Sequence, residues 1–352
     1  MGALSRQRAK RVVPSQYSRS RFVQAGLQRS AEGDAATNPQ SLRASLLLRG
    51  HRLIGEHMTD EPAIFLLAND RVLDNSVKLL SSIKWHGFSN KIYYIPFDDQ
   101  TTLTRKAFSS YGAECYDTDL CKIDALAHKI YDKDPPANPY PYCLGKLRKL
   151  AFLTYPRQAI YLDTDCVVTC EPGLFNDVFR LSAPGIGYIN TSPQGVYADV
   201  PEAAEWRTRS TYLTSGMISK CAATVNISEI DRLLDEVNIS RYLAVRHRGG
   251  YVDQPLWNFL VDLGFLPATD LLAGRRVSRI TSITADLTLA ADGTVRAGQL
   301  PVLLLHLAGP ALKKTARYRY LLDGMLAAGL QHFANFDEAD FAAISKFLFM
   351  RQ

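Results

Sequence analysis

Two aspartates one residue apart, Asp163 and Asp165, follow the apolar run Ala159-Ile160-Tyr161-Leu162. On an extended strand, residues i and i+2 point to the same side. Both carboxylates are therefore expected to face one cation at the strand's carboxyl end. Hard oxygen donors of this kind suit Mg²⁺ or Mn²⁺ carrying a diphosphate, whose charge the metal neutralises. Far downstream, His306 closes the apolar run that begins at Val302, and it offers a third ligand. A lone histidine there is more often a satisfied structural residue, and the upstream pair is what raises its interest. A second copy of the spacing, Asp117-Thr118-Asp119, follows no such run and is expected to be a turn or a helix cap.

These groups need elements to hold them. The stretch AIFLLAND (63–70) reads as a buried strand ending in polar residues. DNSVKLLSSIKWHG then reads as a helix, with Asp74 as N-cap, Val77, Leu80 and Ile83 on one face, and Gly87 as its stop. KIYYIPFDD, TRKAFSSYGAE and ECYDTD continue as strand, helix and strand. Alternation at this spacing predicts an α/β fold with a mostly parallel sheet covered on both faces. The rigid loop PPANPYPY leads into a basic helix, CLGKLRKLAFLTY, and then into the strand before Asp163. In such sheets ligands bind at the carboxyl edge. The later segments YLTSGMIS, ISEIDRLLDEVN and GGYVDQPLWNFLVDLG read as a strand, a helix and a Gly-rich turn into a helix, with Asp253 near the start of the last. A hairpin with an Asp-Gly turn follows, then the strand ending at His306 and a final helix.

The 352 residues, 47% of them hydrophobic, suffice for a sizeable core. The net charge of +6 is uneven, because residues 1–30 hold seven Arg or Lys and no acid. The basicity sits in an arm, so no nucleic-acid partner is expected. The expected organisation is a basic flexible arm over 1–40, one domain over 41–330 and a C-terminal helix over 331–352. Contact of the arm with an anionic membrane surface stays open beside a solvated tail. No run approaches the ~20 apolar residues of a membrane span, and no apolar leader follows the basic N-terminus, so the expected setting is cytoplasmic. Six cysteines form no C-x-x-C pair and are expected to be reduced, mostly buried and inert, Cys166 among them. A zinc site would need closer pairs or nearby histidines.

In order along residues 62–315, several segments resemble a known family. These are FLLANDRVLDNSVKLLSSIK, LGKLRKLAFLTYPRQAIYLDTDCVVTCEPGLFNDVF, YLTSGMIS, GGYVDQPLWNFL and LLLHLAGPALKK. Together they resemble the GT-A glycosyltransferases, most of all the retaining family 8 of glycogenins and bacterial lipopolysaccharide galactosyl- and glucosyltransferases. The resemblance implies a single Rossmann-like nucleotide-sugar-binding domain. It implies that Asp163, Asp165 and His306 bind Mn²⁺ or Mg²⁺, and that Lys146 contacts the donor. It places Ala68, Asn69 and Asp70 at the nucleotide pocket, with Thr164 and Ser215 also on the donor side. Gly309 and Lys313 would hold phosphate, and Asp253 and Gln254 would face the transferred sugar. Thr214 stands where the family often has Asn, and Leu312 where it has its closing Lys.

The activity so implied is transfer of a hexose from a UDP-sugar to a hydroxyl of a glycan, lipid-linked or protein acceptor, with retention of configuration. Two other readings stay open. One is a catalytically degenerate module that binds a glycan or a protein. The other is a HAD-type phosphatase, because DTDCV also reads as D-x-D-x-[TV]. Outside the family context, a solvated helix face stays open as the role of Gln254, Asn258, Lys146, Arg148 and Lys149.

Overall fold

The computed structural model describes residues 61–135, 140–191, 195–208, 212–222, 225–248, 253–280, 287–289 and 294–307. The arm, the C-terminal helix, Gly309 and Lys313 lie outside these residues.

A seven-stranded sheet forms the centre. β1 (Ala63–Ala68), β2 (Ile92–Pro96), β3 (Ala113–Cys115) and β4 (Ala159–Leu162) run parallel in the order β3-β2-β1-β4. Beyond β4 lie β7 (Tyr212–Lys220) and β6 (Ile186–Thr191), each antiparallel to its predecessor, and then β8 (Ala268–Asp270), parallel to β6. The apolar runs are continuous because both faces of the sheet are covered. Ala63, Phe65 and Leu67 enter one core, while Ile64, Leu66 and Ala68 enter the other. β4 divides the same way, with Tyr161 on the first side and Ile160 and Leu162 on the second. Each such large side chain contributes roughly 1.5–3 kcal/mol on full burial.

Helices α1 (Leu73–Trp85) and α2 (Thr102–Ser110) cover the second face, and α3 (Leu120–Tyr131) and α4 (Tyr140–Leu147) the first. α5 (Pro172–Phe179) follows on the second face. α6 (Ile227–Leu233), α7 (Glu236–Val245) and α8 (Gln254–Asp262) complete the first. A smaller sheet holds β10 (Leu287–Leu289), β11 (Val295–Ala297), β12 (Leu300–His306) and β5 (Cys166–Val168) in that order. Its neighbours are antiparallel, and β9 (Ser278–Ile280) pairs parallel with β12.

Some expectations need correction. α1 starts at Leu73 after a short 3-10 turn, so Asp74 lies inside its first turn and caps nothing. The expected single helix over 227–238 is two, because Leu234 leaves helical geometry and Asp235 starts a new one by accepting from Asn238 N at 2.8 Å. The basic helix is α-helical only to Leu147 and continues as a 3-10 helix over Arg148–Thr154. Asp119 does cap α3, accepting from Cys121 N at 3.1 Å. The hairpin of β10 and β11 is present, while its Asp-Gly turn falls outside the described residues. Cys143, Cys166 and Cys170 are buried, but Cys115 and Cys121 are exposed, and none of the six is in a disulfide. Among the described residues no helix is long and apolar enough to cross a membrane.

Lys220 ends β7 and is buried there, its ammonium donating to the carbonyls of Tyr155 and Cys221. Burial pushes its pKa down to about 7, against a smaller opposing pull from Cys221. Between that value and the unfolded lysine's 10.5, the unfolded chain holds a proton that the folded chain has shed. This group therefore makes stability rise with pH through that window, and it adds no slope below it. Urea midpoints at pH 7 and pH 9 are expected to rise more for the wild type than for Lys220→Met. Parallel slopes for the two would show that the lysine stays charged in the fold.

Candidate active site

The chain leaves the large sheet at Leu162 and enters the small sheet at Cys166. The three residues between them form a turn, closed by Cys166 N donating to Asp163 O at 3.0 Å. The same-side alignment expected of an extended strand therefore does not apply to Asp163 and Asp165. Asp163 N donates to Gly216 O of β7, and Leu307 N, just past β12, donates to Asp165 O, both at 2.8 Å.

The two carboxylates have different partners. Asp163 Oδ1 accepts from the Tyr161 hydroxyl at 2.9 Å and from Lys149 Nζ at 3.3 Å. A Cβ on residue 216 would stand 2.8 Å from Asp163 Oδ2, so only glycine lets β7 pass this close. Asp165 Oδ1 instead lies 3.4 Å from His306 Nε2. Among the described residues, the metal-ligating atoms that come within 4.8 Å of one another in a group of three or more belong to Asp165, Cys166 and His306. The Asp163 carboxylate is not in that group.

Lys149 is the residue that sequence reasoning missed. It is fully buried, not a solvated face. Its ammonium donates to Asp163 and to Ser215 O at 3.0 Å, and it pairs with Asp253 Oδ2 at 2.5 Å. It also lies 4.7 Å from the centre of the Tyr161 ring. One ammonium thus gathers the DTD turn, β7 and the start of α8. Lys149 lies in the first turn of the 3-10 segment, whose residues Lys149 to Leu153 are all buried, so its side chain is drawn inward with them. The signal in the sequence is the apolar setting of Lys149, between Leu147 and Leu150-Ala151. Arg148 points elsewhere, to a bidentate pair with Asp124 at 2.9 and 2.7 Å.

Charge is shared across this cluster. Burial alone would raise the Asp163 carboxyl, but Lys149, Lys146, His306 and the Tyr161 hydroxyl outweigh it and hold it well below the usual carboxylate range. Burial alone would lower the Lys146 ammonium, but Asp163, Asp253, Tyr142 and Asp165 outweigh that and hold it charged, well above the usual lysine range. Asp253 and Gln254 open α8, and both are buried. Asn258, also buried, fixes that end of the helix. Its amide accepts from Leu213 N at 2.9 Å and donates to Leu213 O at 2.8 Å and Gln254 O at 2.9 Å.

A cavity of about 340 Å³ opens at the carboxyl ends of β1, β2 and β4. Its lining includes Lys146, Asp163, Thr164 and Asp165 together with Asn69, Arg71, Asn75, Phe97 and Asp98. Asn69 is held by donating to Asp98 at 2.8 Å. Of its expected neighbours in the pocket, Ala68 is buried in the core, and Asp70 turns to the start of α2, accepting from Thr104 N at 2.7 Å. Ser215 is buried against Lys149 and does not line the cavity.

No protein-family model and no curated protein matches the sequence. Among solved structures, the galactosyltransferase LgtC in complex with donor and acceptor sugar analogs matches over 80% of this chain and 99% of its own, at 12% identity and a TM-score of 0.50. The apo WbbM bifunctional glycosyltransferase matches over 83% of this chain, at 13% identity and a TM-score of 0.49. The match spans about half of that protein, 52% of its chain. GlyE from Streptococcus pneumoniae TIGR4 matches over 79% of this chain and 64% of its own, at 12% identity and a TM-score of 0.42. At such identities the likeness is one of architecture, and the chain has the mixed α/β fold of the GT-A-type glycosyltransferases.

Proposed function

We propose that this chain is a glycosyltransferase that moves a hexose from a UDP-sugar to a hydroxyl of a glycan, lipid-linked or protein acceptor. The observation that carries the reading is the cavity at the carboxyl edge of the parallel strands. It brings a charged Lys146 and the DTD turn together with the hydrogen-bonded Asn69 and Asp98 in one lining. Lys146 and the DTD turn suit a diphosphate, and Asn69 and Asp98 suit a nucleoside.

The donor set fits a divalent cation. Asp165 and His306 offer an oxygen and an imidazole 3.4 Å apart, and Asp163 would add its second oxygen. Such donors suit Mn²⁺ or Mg²⁺, which when bound would neutralise charge on the leaving diphosphate. Lys146 would hold the same phosphates by charge and by hydrogen bonds. In transfer, the bond from the anomeric carbon to the diphosphate oxygen breaks and a bond to the acceptor oxygen forms. The acceptor proton passes to the leaving phosphate oxygen, and the anomeric centre is oxocarbenium-like between the two. Asp253 and Gln254 would orient the sugar. Retention of configuration is part of the proposal and rests on the family resemblance. The phosphate role of Gly309 and Lys313 has the same basis.

A second reading is a silent module that binds the nucleotide sugar without turning it over. It is favoured by Asp163 Oδ1 being engaged by Lys149 and Tyr161. A panel of nucleotide sugars with Mn²⁺, read by release of nucleoside diphosphate, separates the two. Turnover of one UDP-sugar is expected, falling about a hundredfold or more in Asp165→Ala, since several kcal/mol of charge stabilisation goes with the cation. Binding without turnover would leave the silent module. Neither binding nor turnover would remove both readings.

A further inference from the structure

We infer that Asp165, Cys166 and His306 form a seat for a thiophilic divalent cation of the Zn²⁺ class. This deepens the cation reading above and rests on it for Asp165 and His306. Cys166 is what makes the seat different.

β5 pairs antiparallel with β12, and in that register Cys166 stands directly opposite His306. Directly paired residues put their side chains on the same face of a sheet. The Cys166 sulfur, a His306 nitrogen and an Asp165 oxygen consequently gather within 4.8 Å of one another. In the sequence the cysteine and the histidine are far apart, so the nearby histidine that a zinc site requires is supplied by the fold.

The geometry is close to what the cation needs. Two N or O donors, each about 2.0–2.1 Å from a tetrahedral Zn²⁺, stand about 3.3 Å apart. His306 Nε2 and Asp165 Oδ1 are 3.4 Å apart, one edge of that tetrahedron. The sulfur, within 4.8 Å of both, would close inward to complete the set. Asp165 lines the cavity, and Asp165 and His306 are both partly exposed, so a cation can enter past them, while Cys166 is fully buried. Three protein donors leave a fourth position open, as in open zinc sites. A soft thiolate beside an imidazole selects Zn²⁺ or Cd²⁺ over Mg²⁺. On binding, the Cys166 sulfur forms the metal bond and its proton leaves to solvent.

The test uses the full chain with Cd²⁺ as a probe, followed by the ultraviolet thiolate-to-metal absorption, and Zn²⁺ affinity by competition with a chromophoric chelator. Wild type, Cys166→Val and Cys166→Ser are compared, with Mn²⁺ binding measured alongside. The expected result is a Cd²⁺ band that both variants lose. Zn²⁺ affinity should fall by more than about tenfold in Cys166→Val, the low end of what even outer partners of a metal site contribute. Mn²⁺ affinity should change little, because hard donors hold that ion. The serine variant keeps the polar side chain if the valine does not fold. An undiminished Cd²⁺ band in both variants would assign the signal to the exposed Cys115 and Cys121 and overturn the inference. Mn²⁺ binding without any Cd²⁺ band would also overturn it while leaving the transferase reading intact. Loss of Mn²⁺ binding and of nucleotide-sugar turnover in the wild type would instead strike the transferase reading.

Discussion

Lys149→Met is expected to lower unfolding stability by about 3–5 kcal/mol, the usual result of removing one partner from a buried ion pair. The reason is the company it keeps. Lys149 is wholly buried, and its ammonium stands between the carboxylates of Asp163 and Asp253. Methionine matches the stem but leaves two negative charges facing each other at low exposure. Urea unfolding measures the loss. Adding Asp253→Asn to Lys149→Met should restore part of the stability, because one uncompensated charge goes with it. Turnover of the nucleotide sugar should stay low in both variants, since Asp163 loses its anchor. An unchanged urea midpoint in Lys149→Met would mean that the three groups are not an ion cluster in solution.

The second large effect is expected from Asn258→Leu. The side chain has the same number of heavy atoms, but its methyl groups are bulkier than the amide, and overpacking at this buried site adds to the cost, typically about 1–3 kcal/mol. The leucine abandons Leu213 N and Leu213 O, both buried in β7, and the carbonyl of Gln254. An orphaned buried backbone group costs roughly 1–3 kcal/mol, so the two groups of Leu213 alone amount to about 2–6 kcal/mol. Asn258→Asp keeps the acceptor for Leu213 N and should lie between leucine and wild type. Equal midpoints for leucine and wild type would show that water reaches Leu213. Because Asn258 ties the start of α8 to β7, the leucine variant should also lose turnover more than binding of the donor.

The strands were readable in the sequence where burial is simplest. β1, β4 and β12 are continuous apolar runs because sheets covered on both faces tolerate no alternation, and their ends matched the polar residues that stop them. Asp119 was readable as a cap because capping is local. Three features were not. Lys149 sits in a run of basic residues whose 3-10 winding no local propensity announces. The DTD turn looked like a strand end because the apolar run resumes at once, in a different sheet. The meeting of Cys166 with His306 depends on strand register between distant segments, which periodicity within each segment cannot give. α3 and β6 also lay outside the sequence expectations, and the expected phosphate contacts of Gly309 and Lys313 fall outside the described residues.

The two aspartates of the DTD turn are moored to different sheets. Asp163 hangs from β7 through Gly216, and Asp165 from the end of β12 through Leu307. The gap between their carboxylates is thus a gauge of how one sheet lies against the other. A fraction of an ångström of shear would tighten or slacken a cation's grip before any side chain changed rotamer. Substitutions along β12, remote from the cavity, should for that reason retune affinity for the proposed cation while leaving the cavity lining around Asn69 and Asp98 untouched.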